Sequence, residues 1–538
     1  MAEDKTATPG AEEPRDRRSR PLLALLSLLP LALAAGVLVT AQPATSPEVT
    51  HGAATATPGP GTSVCPGALQ LPDGALAAGG DEELAATPPS TQVTVGTVAV
   101  EPESSVLYGT ISASETLQED DGSVRTPSIR IEGTGGKVLA DEPAAADLGV
   151  SVLGATGLED APQVTAATAE GGRAVADTVQ STSTSAGDYR SLALTRCAEP
   201  TTSARFLGVS TQRGDSAALV LENPSDRPAT ASVQLWTADG PATMDGRSQI
   251  VVAPGTQERV LLESIAPGQD VVGVDVAVLG APLAMTMQAT ERDGLTPGGA
   301  ELLSSLPDPS TEQVLPGVPV GTIAPVLVLG NPHGADTTAT VQVSGPDGIV
   351  EGAGAEAVDV PAGGVVQVPL EGLTAGSYAV RVTSESPLTA VTRASLAGAD
   401  LPGDTIGAPV DVAFVAPAPA LQSHGLLALP AQGAAGELTL AATENTSVTV
   451  VPLAADGSAG ELIALDLRAG TATVVPSDSL MIGEATAAGF SIVPDTPGAV
   501  HAGWTQRQSD GQDPVLVSSL PVLSSQGQAR PVTVRSAG

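Results

Sequence analysis

Apolar and polar residues alternate with a period of two through much of the chain beyond residue 90, and helical periodicity is nearly absent there. Runs such as TQVTVGTVAV at 91–100, ATASVQLW at 229–236 and TTATVQV at 337–343 alternate Val, Leu and Thr with small polar residues. Alternation of this kind is typical of β-strands that have one buried face. The pattern therefore predicts a mostly β protein made of short strands.

One motif in these strands recurs after 108 residues. Residues 219–224 read LVLENP, residues 327–332 read LVLGNP, and a weaker copy, LTL, stands at 438–440. Each copy precedes an alternating strand that runs towards an Asp-Gly pair, a turn signal because Gly accepts positive φ and Asp hydrogen-bonds to its own backbone. The pairs are Asp239-Gly240, Asp347-Gly348 and Asp456-Gly457. The shared order and spacing predict three copies of one folding unit.

Several short strands separated by such turns in a unit of this length are typical of a β-sandwich. We therefore predict tandem immunoglobulin-like or fibronectin-like sandwiches, with cores of small aliphatic residues because aromatics make up 1% of the chain. A propeller or β-solenoid is the alternative, although its repeat is usually about half this length or less. Residues 65–199 lack a clear copy of the motif, and we interpret them as a degenerate β unit.

The N-terminal region contains one long apolar run instead. Residues 21–41, PLLALLSLLPLALAAGVLVTA, carry no charge, and about 20 apolar residues span a bilayer. Four arginines lie within residues 15–20, and the next basic residue is Arg125. Because Lys and Arg accumulate on the cytoplasmic side of a membrane helix, we expect a single-pass cell-membrane protein with a cytoplasmic N-terminus and extracellular C-terminal domains.

Two alternatives to this permanent anchor remain open. Val39-Thr40-Ala41 fits the small-residue cleavage site of a secretory signal peptide, whose apolar stretch is usually shorter, about 7–15 residues. Arg17-Arg18 also resembles a twin-arginine export signal. If the apolar segment is cleaved after Ala41, the protein is secreted.

These features divide the chain into successive segments. They are a cytoplasmic tail at 1–20, a transmembrane signal-anchor helix at 21–41, a stalk rich in Pro, Thr, Ala and Gly at 42–64, a degenerate β domain at 65–199, and three sandwich repeats at 200–312, 313–423 and 424–538.

Cys65 and Cys197 are the two cysteines of the chain. Outside the membrane the environment is oxidising enough for a disulfide, so we predict a bridge that closes the degenerate β domain. Two free buried thiols, or pairing between molecules, are the alternatives. The count excludes a disulfide-rich miniprotein and a metal site made of several cysteines.

The net charge is −37, from 60 Asp and Glu against 23 Lys and Arg. A chain this acidic is repelled by phosphate backbones, so the composition argues against nucleic-acid binding. The tail at 1–20 is neutral, which places the negative charge beyond it. This charge is consistent with the solvated surface of an exported protein, or with binding to cations or a basic partner.

Candidate chemistry is sparse. The four histidines are scattered, the acidic runs at 81–83 and 119–122 lack the alternating spacing of an EF-hand loop, and no Ser nucleophile elbow occurs. We therefore predict no catalytic residue, no metal site and no cofactor. Trp236 is the best candidate for a contact residue, because it alternates with Val233 and Leu235 and so points to the outer face of its strand. An isolated exposed Trp, or one covered by a neighbouring domain, is the alternative.

Motifs throughout the chain support a family resemblance. They are the Arg-containing tail before one apolar span, Val-Cys-Pro-Gly at 64–67, Arg-Cys-Ala-Glu-Pro at 196–200, the two Leu-Val-Leu-x-Asn-Pro copies with their Asp-Gly turns, and Val-Pro-Ala-Gly-Gly at 360–364. With this layout the chain resembles the actinobacterial family called domain of unknown function 5719. The resemblance implies a single-pass or secreted envelope protein, without an assigned reaction and without catalytic residues to transfer.

Taken together, these observations predict a non-catalytic, membrane-anchored protein of the extracytoplasmic cell envelope. It would act as a scaffold or protein-interaction module, with the cytoplasmic membrane and an unidentified envelope protein or cell-wall polymer as partners. A cell-wall glycan-binding protein is the second hypothesis. An extracytoplasmic hydrolase is the third, disfavoured because glycan clefts are usually lined with the aromatic residues that are scarce here.

Overall fold

A computed structural model describes residues 54–56, 59–71, 88–112, 115–120, 122–159, 161–244, 248–294, 296–398, 408–430, 435–508, 516–524 and 532–534. The predicted membrane segment at 21–41 lies outside these residues. Among the helices that are described, none has the length and apolar character needed to cross a membrane.

The chain divides into two units. One comprises residues 1–56 and 531–538, and in it β1 (Ala54–Ala56) pairs antiparallel with β37 (Val532–Val534). The other, Thr57–Arg530, holds all of the remaining strands. We call this second unit the sandwich unit, and the description below is of this unit.

Sandwich 1 is built from the region interpreted as a degenerate β unit. Its sheets have the strand orders β2-β8-β4-β5 and β10-β9-β3-β7-β6. The last four residues of the predicted stalk form its first strand, because Gly61–Val64 pairs with Gln163–Ala167. The strands are β2 (Gly61–Val64), β3 (Val93–Val100), β4 (Ser128–Glu132), β5 (Val138–Ala140), β6 (Ala144–Ala146), β7 (Val150–Leu158), β8 (Gln163–Ala167), β9 (Val175–Thr184) and β10 (Ser191–Arg196).

Sandwich 2 contains the first LVLxNP copy. Its sheets have the orders β11-β17-β13-β14, with β15 also paired to β13, and β16-β12-β18-β19. Gly240 follows the Asp239 turn with φ of 104°, which a residue with a side chain rarely adopts. The strands are β11 (Ser203–Val209), β12 (Ser216–Glu222), β13 (Ala229–Thr237), β14 (Gly240–Pro241), β15 (Gln249–Val252), β16 (Gln257–Leu261), β17 (Val272–Gly280), β18 (Ala284–Asp293) and β19 (Thr296–Leu303).

Sandwich 3 contains the second copy. One long strand, β26, joins its two sheets: the first half of β26 pairs with β20 and β22, and the second half pairs with β21 and β27. The strands are β20 (Ser310–Val320), β21 (Val326–Gly330), β22 (Thr337–Gly345), β23 (Gly348–Ile349), β24 (Ala355–Val360), β25 (Val365–Pro369), β26 (Gly376–Ala397) and β27 (Val410–Val415).

Sandwich 4 contains the weak third copy. Its sheets have the orders β31-β30-β33-β28-β36 and β32-β29-β34-β35. The strands are β28 (Gly425–Ala428), β29 (Gly436–Ala442), β30 (Thr446–Leu453), β31 (Ile463–Leu467), β32 (Ala472–Pro476), β33 (Gly489–Pro494), β34 (Val500–Gln508), β35 (Leu516–Pro521) and β36 (Leu523–Ser524). Short 3₁₀ helices at Ser105–Tyr108, Glu115–Leu117, Thr134–Gly136, Leu262–Ser264 and Ser477–Leu480 connect strands of the sandwich unit.

All four described sandwiches share one topology. In each, the opening strand (β2, β11, β20 or β28) pairs in the first sheet with a strand that also pairs with β4, β13, β22 or β30. In the second sheet, β10, β19, β27 or β35 lies at an edge. The strand-to-strand pairing is antiparallel throughout these sheets. Sandwich 1 is therefore a fourth copy of the repeat, although it lacks the LVLxNP motif.

The four sandwiches close into a ring. We call β10, β19, β27 and β35 the inner strands, and each of them contacts the inner strands of the two neighbouring sandwiches, including β10 with β35. Each opening strand described after sandwich 1 also packs on the next sandwich: β11 on β21, β20 on β29, and β28 on β3. The sequence analysis predicted tandem sandwiches, and the closed ring with its central axis is an additional finding.

Apolar cores extend across the seams between sandwiches. One cluster combines Leu219 and Leu235 of sandwich 2 with Val391 and Phe414 of sandwich 3. Another combines Val98 of sandwich 1 with residues of sandwich 4. Because burial of apolar surface is the main favourable term in association, neighbouring sandwiches stabilise one another as well as themselves.

Candidate functional site

The inner strands bring four sheet edges together at the axis of the ring. An edge strand exposes unpaired backbone N–H and C=O groups, which proteins often manage with inward-pointing charged residues. Two acidic residues lie on these strands, Glu301 on β19 and Asp411 on β27, and each is 2% exposed. Among the described residues, these buried carboxylates and the edges of the four sheets therefore meet at the axis.

Asp411 joins three sandwiches through its carboxylate. Its Oδ2 atom accepts hydrogen bonds from the backbone N–H of Leu192 (3.1 Å) in sandwich 1 and of Val517 (2.8 Å) in sandwich 4. Its Oδ1 atom accepts from the N–H of Val412 (3.0 Å) in its own strand. A residue of sandwich 3 thus satisfies edge donors of both sandwich 1 and sandwich 4.

Glu301 makes the matching connection from sandwich 2. Its Oε1 atom accepts from the N–H of Leu194 (3.2 Å) in sandwich 1 and of Leu302 (3.0 Å) in its own strand. Its Oε2 atom accepts from the hydroxyl of Ser518 (2.6 Å) in sandwich 4. Both carboxylates therefore bind the same two strands, β10 and β35.

Burial governs the acidity of this pair. Removal from water disfavours the charged form of a carboxyl group, and it raises the pKa of Asp411 to about 7 in spite of three backbone N–H bonds and the charge of Arg190. Burial also raises the pKa of Glu301 well above its usual value, and the neighbouring charge of Asp411 adds to this effect. The two groups thus bind protons more tightly in the folded protein than in water.

A cavity of about 550 Å³ opens beside this pair at the end of the axis where the inner strands finish. All four sandwiches line it, and the lining includes Glu301 itself. Its volume lies within the roughly 300–1,000 Å³ typical of ligand pockets. Apolar side chains from three sandwiches share the wall with charged side chains of sandwich 1; the apolar group includes Met285, Leu306, Phe414, Leu426 and Leu520.

A buried ion pair fixes one wall of the cavity. Arg196 and Asp177 of sandwich 1 form two parallel bonds, one of them Nη2 to Oδ2 at 3.2 Å, and their side chains are 11% and 7% exposed. Arg196 also donates to the carbonyl of Pro521, and Asp177 accepts from the N–H of Ala428. The pair therefore crosses from sandwich 1 to sandwich 4, as the axial carboxylates do.

The predicted disulfide is present, between Cys65 at the end of β2 and Cys197 at the end of β10. The adjacent residues Val64 and Ala198 form an isolated antiparallel bridge. In sandwich 2 the equivalent contact is a hydrogen bond from the N–H of Leu306 to the carbonyl of Arg205. The disulfide thus adds a covalent link where the other copies rely on backbone hydrogen bonds, and Cys197 lines the cavity.

Trp236 is not an exposed contact residue, and the structure agrees with the alternative that a neighbouring domain covers it. Its side chain is 2% exposed, because sandwich 3 covers this end of the outer face of its strand. A Cβ atom added at Gly330 of β21 would lie 2.4 Å from the Trp236 ring, and one at Gly273 would lie 2.6 Å from it. Trp236 is a packing residue of the seam between sandwiches 2 and 3, and it is unavailable to a partner.

The Asn of the LVLxNP motif has a structural role that the sequence analysis did not assign. Asn223 donates from Nδ2 to the carbonyls of Arg227 and Val252, and Asn331 donates to those of Ala335 and Val360. Both are fully buried. The repeat of the motif was the signal, because in both copies the buried Asn side chain ties the loop that follows it to the end of a strand, β15 or β24.

The structure brings none of the other candidate groups together. Within the described ranges, no group of three or more His, Cys, Asp or Glu residues is placed to hold a metal ion. The acidic run at 81–83 lies outside those ranges, as does Asp121 of the second run. His333 donates its backbone N–H to Asn331 Oδ1 in a turn. The residues assembled at the axis, Glu301 and Asp411, were not singled out from the sequence.

Comparison with known proteins gives one relationship. No curated protein matches the chain. The model of one protein family, described as a family of unknown function (DUF5719), matches residues 152–478. This match begins in β7 of sandwich 1, covers sandwiches 2 and 3 including both axial carboxylates, and ends in the last 3₁₀ helix of sandwich 4. The chain belongs to this DUF5719 family.

Proposed function

We propose that this chain is a non-catalytic, membrane-anchored protein of the extracytoplasmic cell envelope, which binds a protein partner at the axial cavity. The observation that carries the proposal is the cavity itself, because four sandwiches contribute to its wall. Ring-shaped β folds commonly place binding sites on their central axis, where loops and strand ends from every repeat converge.

The chemistry of the cavity supports binding rather than bond cleavage. The carboxylates beside it accept hydrogen bonds from backbone N–H groups and from Ser518, and Arg196 is tied to Asp177. Groups used in this way hold strands in place. The remaining wall is largely apolar with scattered hydroxyl groups, a composition that suits side chains of a partner protein.

The position of the aromatic residues favours a protein partner over a glycan. Sugar rings stack on exposed Trp and Tyr faces, and Trp236 and Trp504 are both buried in the sandwiches. Phe414 is the aromatic residue of the described cavity lining, and it is 5% exposed. The cavity therefore offers little for stacking against a sugar, and Tyr108, which is 63% exposed, does not line it.

Two features support an extracytoplasmic location. The Cys65–Cys197 bridge belongs in an oxidising compartment. The apolar run at 21–41 follows four arginines, which favours an anchor with the sandwich unit outside. Protease treatment of intact, wall-stripped cells tests this location: digestion of the sandwich unit agrees with it, and full resistance together with digestion after lysis contradicts it.

Site-specific photocrosslinking in living cells tests the binding site. A photoreactive residue at Ala416, in the cavity wall, is compared with one at Ala464, which is exposed on β31 away from the cavity. The proposal expects a crosslinked protein band from position 416 that position 464 lacks. Adducts of cell-wall polymer from position 416, with no protein adduct, would support the glycan hypothesis instead.

A further inference from the structure

The ring has one seam that differs from the others in its connectivity. Sandwiches 1 and 2, 2 and 3, and 3 and 4 are consecutive in the chain, so short segments hold each pair together. Sandwiches 1 and 4 are the first and last, and their inner strands β10 and β35 meet without such a connection. This closing seam must be held by non-covalent contacts alone.

Glu301 and Asp411 come from sandwiches 2 and 3, and both reach across the axis to this seam. Asp411 Oδ2 accepts from Leu192 and Val517, which lie on opposite sides of the seam. Glu301 accepts from Leu194 on one side and Ser518 on the other, and Leu194 N–H also contacts Ser518 Oγ at 3.0 Å. We propose that Glu301 and Asp411 form a pH-sensitive latch that closes the ring between sandwiches 1 and 4.

The charges around the latch are unbalanced. Of the inner strands, β10 carries Arg196, which is paired with Asp177, and β35 carries no charged residue. Arg190, just before β10, is the cation that acts on Asp411. Among the described residues no ion pair includes Glu301 or Asp411. The titratable or charged side chains on the strands packed against the inner strands are Asp177, Glu291, Arg292, Asp293, Glu312, Tyr378, Arg381, Glu385, Arg393, His501 and Arg507.

The direction of the pH effect follows from burial. Both carboxyl groups have a higher pKa in the folded protein than in the unfolded chain, where Asp and Glu titrate near pH 4. The folded state therefore binds more protons than the unfolded chain. The stability that the two protonated carboxyl groups contribute is complete below about pH 4 and is lost as the pH rises through about 7. We expect the seam to be tighter in acidic than in alkaline solution and to loosen as the two like charges develop.

Loosening of the seam affects the cavity directly. Leu194 and Glu301 belong both to the latch and to the cavity lining. Sandwiches 1 and 4 each supply a part of that lining, including Arg196 and Leu520. Separation of β10 from β35 would widen the cavity. The latch therefore makes the access of a partner to the cavity depend on the external pH.

Glu301→Gln is the informative variant. The amide oxygen can still accept from Leu194 and Leu302, and the amide nitrogen can donate to Ser518 Oγ, so the seam keeps its hydrogen bonds while the charge is removed. Glu199→Gln is the matched control, because Glu199 also lines the cavity but is exposed and paired with Arg173. Both variants remove one carboxylate from the same region.

Hydrogen exchange of the full-length protein in detergent measures the seam separately from global unfolding. Peptides that cover β10 and β35 are compared with a peptide of β22 in sandwich 3, a strand without a titratable residue, at about pH 5.5 and about pH 8.5, after correction for the intrinsic rate. We expect protection of β10 and β35 to fall about tenfold or more at the higher pH, with β22 much less affected. Glu301→Gln should shrink this fall, and Glu199→Gln should retain it.

Two outcomes would overturn the latch. Protection of β10 and β35 that changes with pH no more than that of β22 would show that the axial carboxylates do not control the seam. A wild-type pH response in Glu301→Gln would show that other groups cause it. If Glu301→Gln fails to fold, Asp411→Asn serves in its place, since it removes the other axial charge, and a full wild-type pH response in that variant would overturn the latch.

Discussion

The seam between sandwiches 2 and 3 and the axis of the ring are both fully buried, but they are held by different chemistry. At the seam, the Trp236 ring packs against Gly330, and Val391 and Phe414 lie close to Gly208. At the axis, Asp411 and Glu301 accept hydrogen bonds from strands of other sandwiches. Apolar contacts supply free energy in proportion to area, whereas hydrogen bonds require particular partners and so fix which strands meet.

The largest effect is expected from truncation of the aromatic side chain in the seam. Trp236→Ala removes a buried ring from the contact with sandwich 3, and a substitution of this kind costs about 3–5 kcal/mol. Chemical denaturation of the full-length protein measures the loss. A cost below about 1 kcal/mol would show that sandwich 3 does not pack on this residue.

A companion substitution sharpens the same test. Gly330→Ala places a Cβ atom 2.4 Å from the Trp236 ring, an overlap that should cost about 1–3 kcal/mol. In the Trp236→Ala background the ring is absent, so Gly330→Ala should cost much less. Equal costs in both backgrounds would contradict the contact between the two sandwiches.

The disulfide should come next in size. The double variant Cys65→Ser, Cys197→Ser opens a link between residues 132 positions apart, and loss of a native disulfide typically costs about 2–5 kcal/mol. Hydrogen exchange should show the loss first in β2 and β10, since the bridge joins their ends. A loss of protection that is confined to sandwich 3 would contradict the placement of the disulfide in sandwich 1.

Asp411→Asn should have a smaller effect that depends on pH. The amide replaces one acceptor oxygen with a donor, so at least one of the three backbone N–H groups loses its partner, at a cost of about 1–3 kcal/mol. The cost relative to wild type should shrink as the pH rises through about 7, because the wild type then carries a buried charge. Unfolding midpoints of both proteins, measured across this pH range, show how the cost of the substitution changes with pH. A cost that stays constant would contradict the prediction.

The smallest effect is expected on the outer surface. Arg381 and Glu312 form an ion pair whose side chains are 42% and 47% exposed, and exposed pairs contribute about 0–1 kcal/mol. Arg381→Ala should therefore leave the unfolding midpoint almost unchanged and serves as a baseline for the substitutions above. A loss comparable to that of Asp411→Asn would mean that charge pairs stabilise the sandwiches wherever they occur.

The features that the sequence predicted are local ones. The alternation in ATASVQLW produces β13, and Asp239-Gly240 lies in the hairpin that follows. The outward direction of Trp236 was also predictable from alternation, but its burial depends on Gly330, about a hundred residues away in sequence. Periodicity reports which side of a strand a residue occupies, and it does not report what covers that side.

The ring and its axial carboxylates could not be predicted in the same way. Sandwich 1 has the shared topology without the LVLxNP motif, so its membership of the ring depends on packing rather than on a repeated sequence. A weak signal existed for the acids: Asp411 and Glu301 are the charged residues of the otherwise apolar runs VDVAFV and GGAELL. An acid in a buried strand indicates a special partner, but the partner lies on other sandwiches.

Closure of the ring is the central claim, and an engineered disulfide across the closing seam tests it most directly. A Cβ atom built at Gly109 of sandwich 1 lies 3.4 Å from the Cβ of Thr449 in sandwich 4, close to the roughly 3.5–4.5 Å of natural disulfides. Because Gly109 has φ of 72°, which strains a residue with a side chain, the single variant Gly109→Cys is first checked for a wild-type unfolding midpoint. In the full-length protein carrying Gly109→Cys and Thr449→Cys, we predict spontaneous formation of this bridge, detected as a linked peptide pair by mass spectrometry. Gly109→Cys combined with Thr338→Cys, on sandwich 3, should give none. A folded double variant in which cysteines 109 and 449 remain unlinked under oxidising conditions would contradict the closed ring.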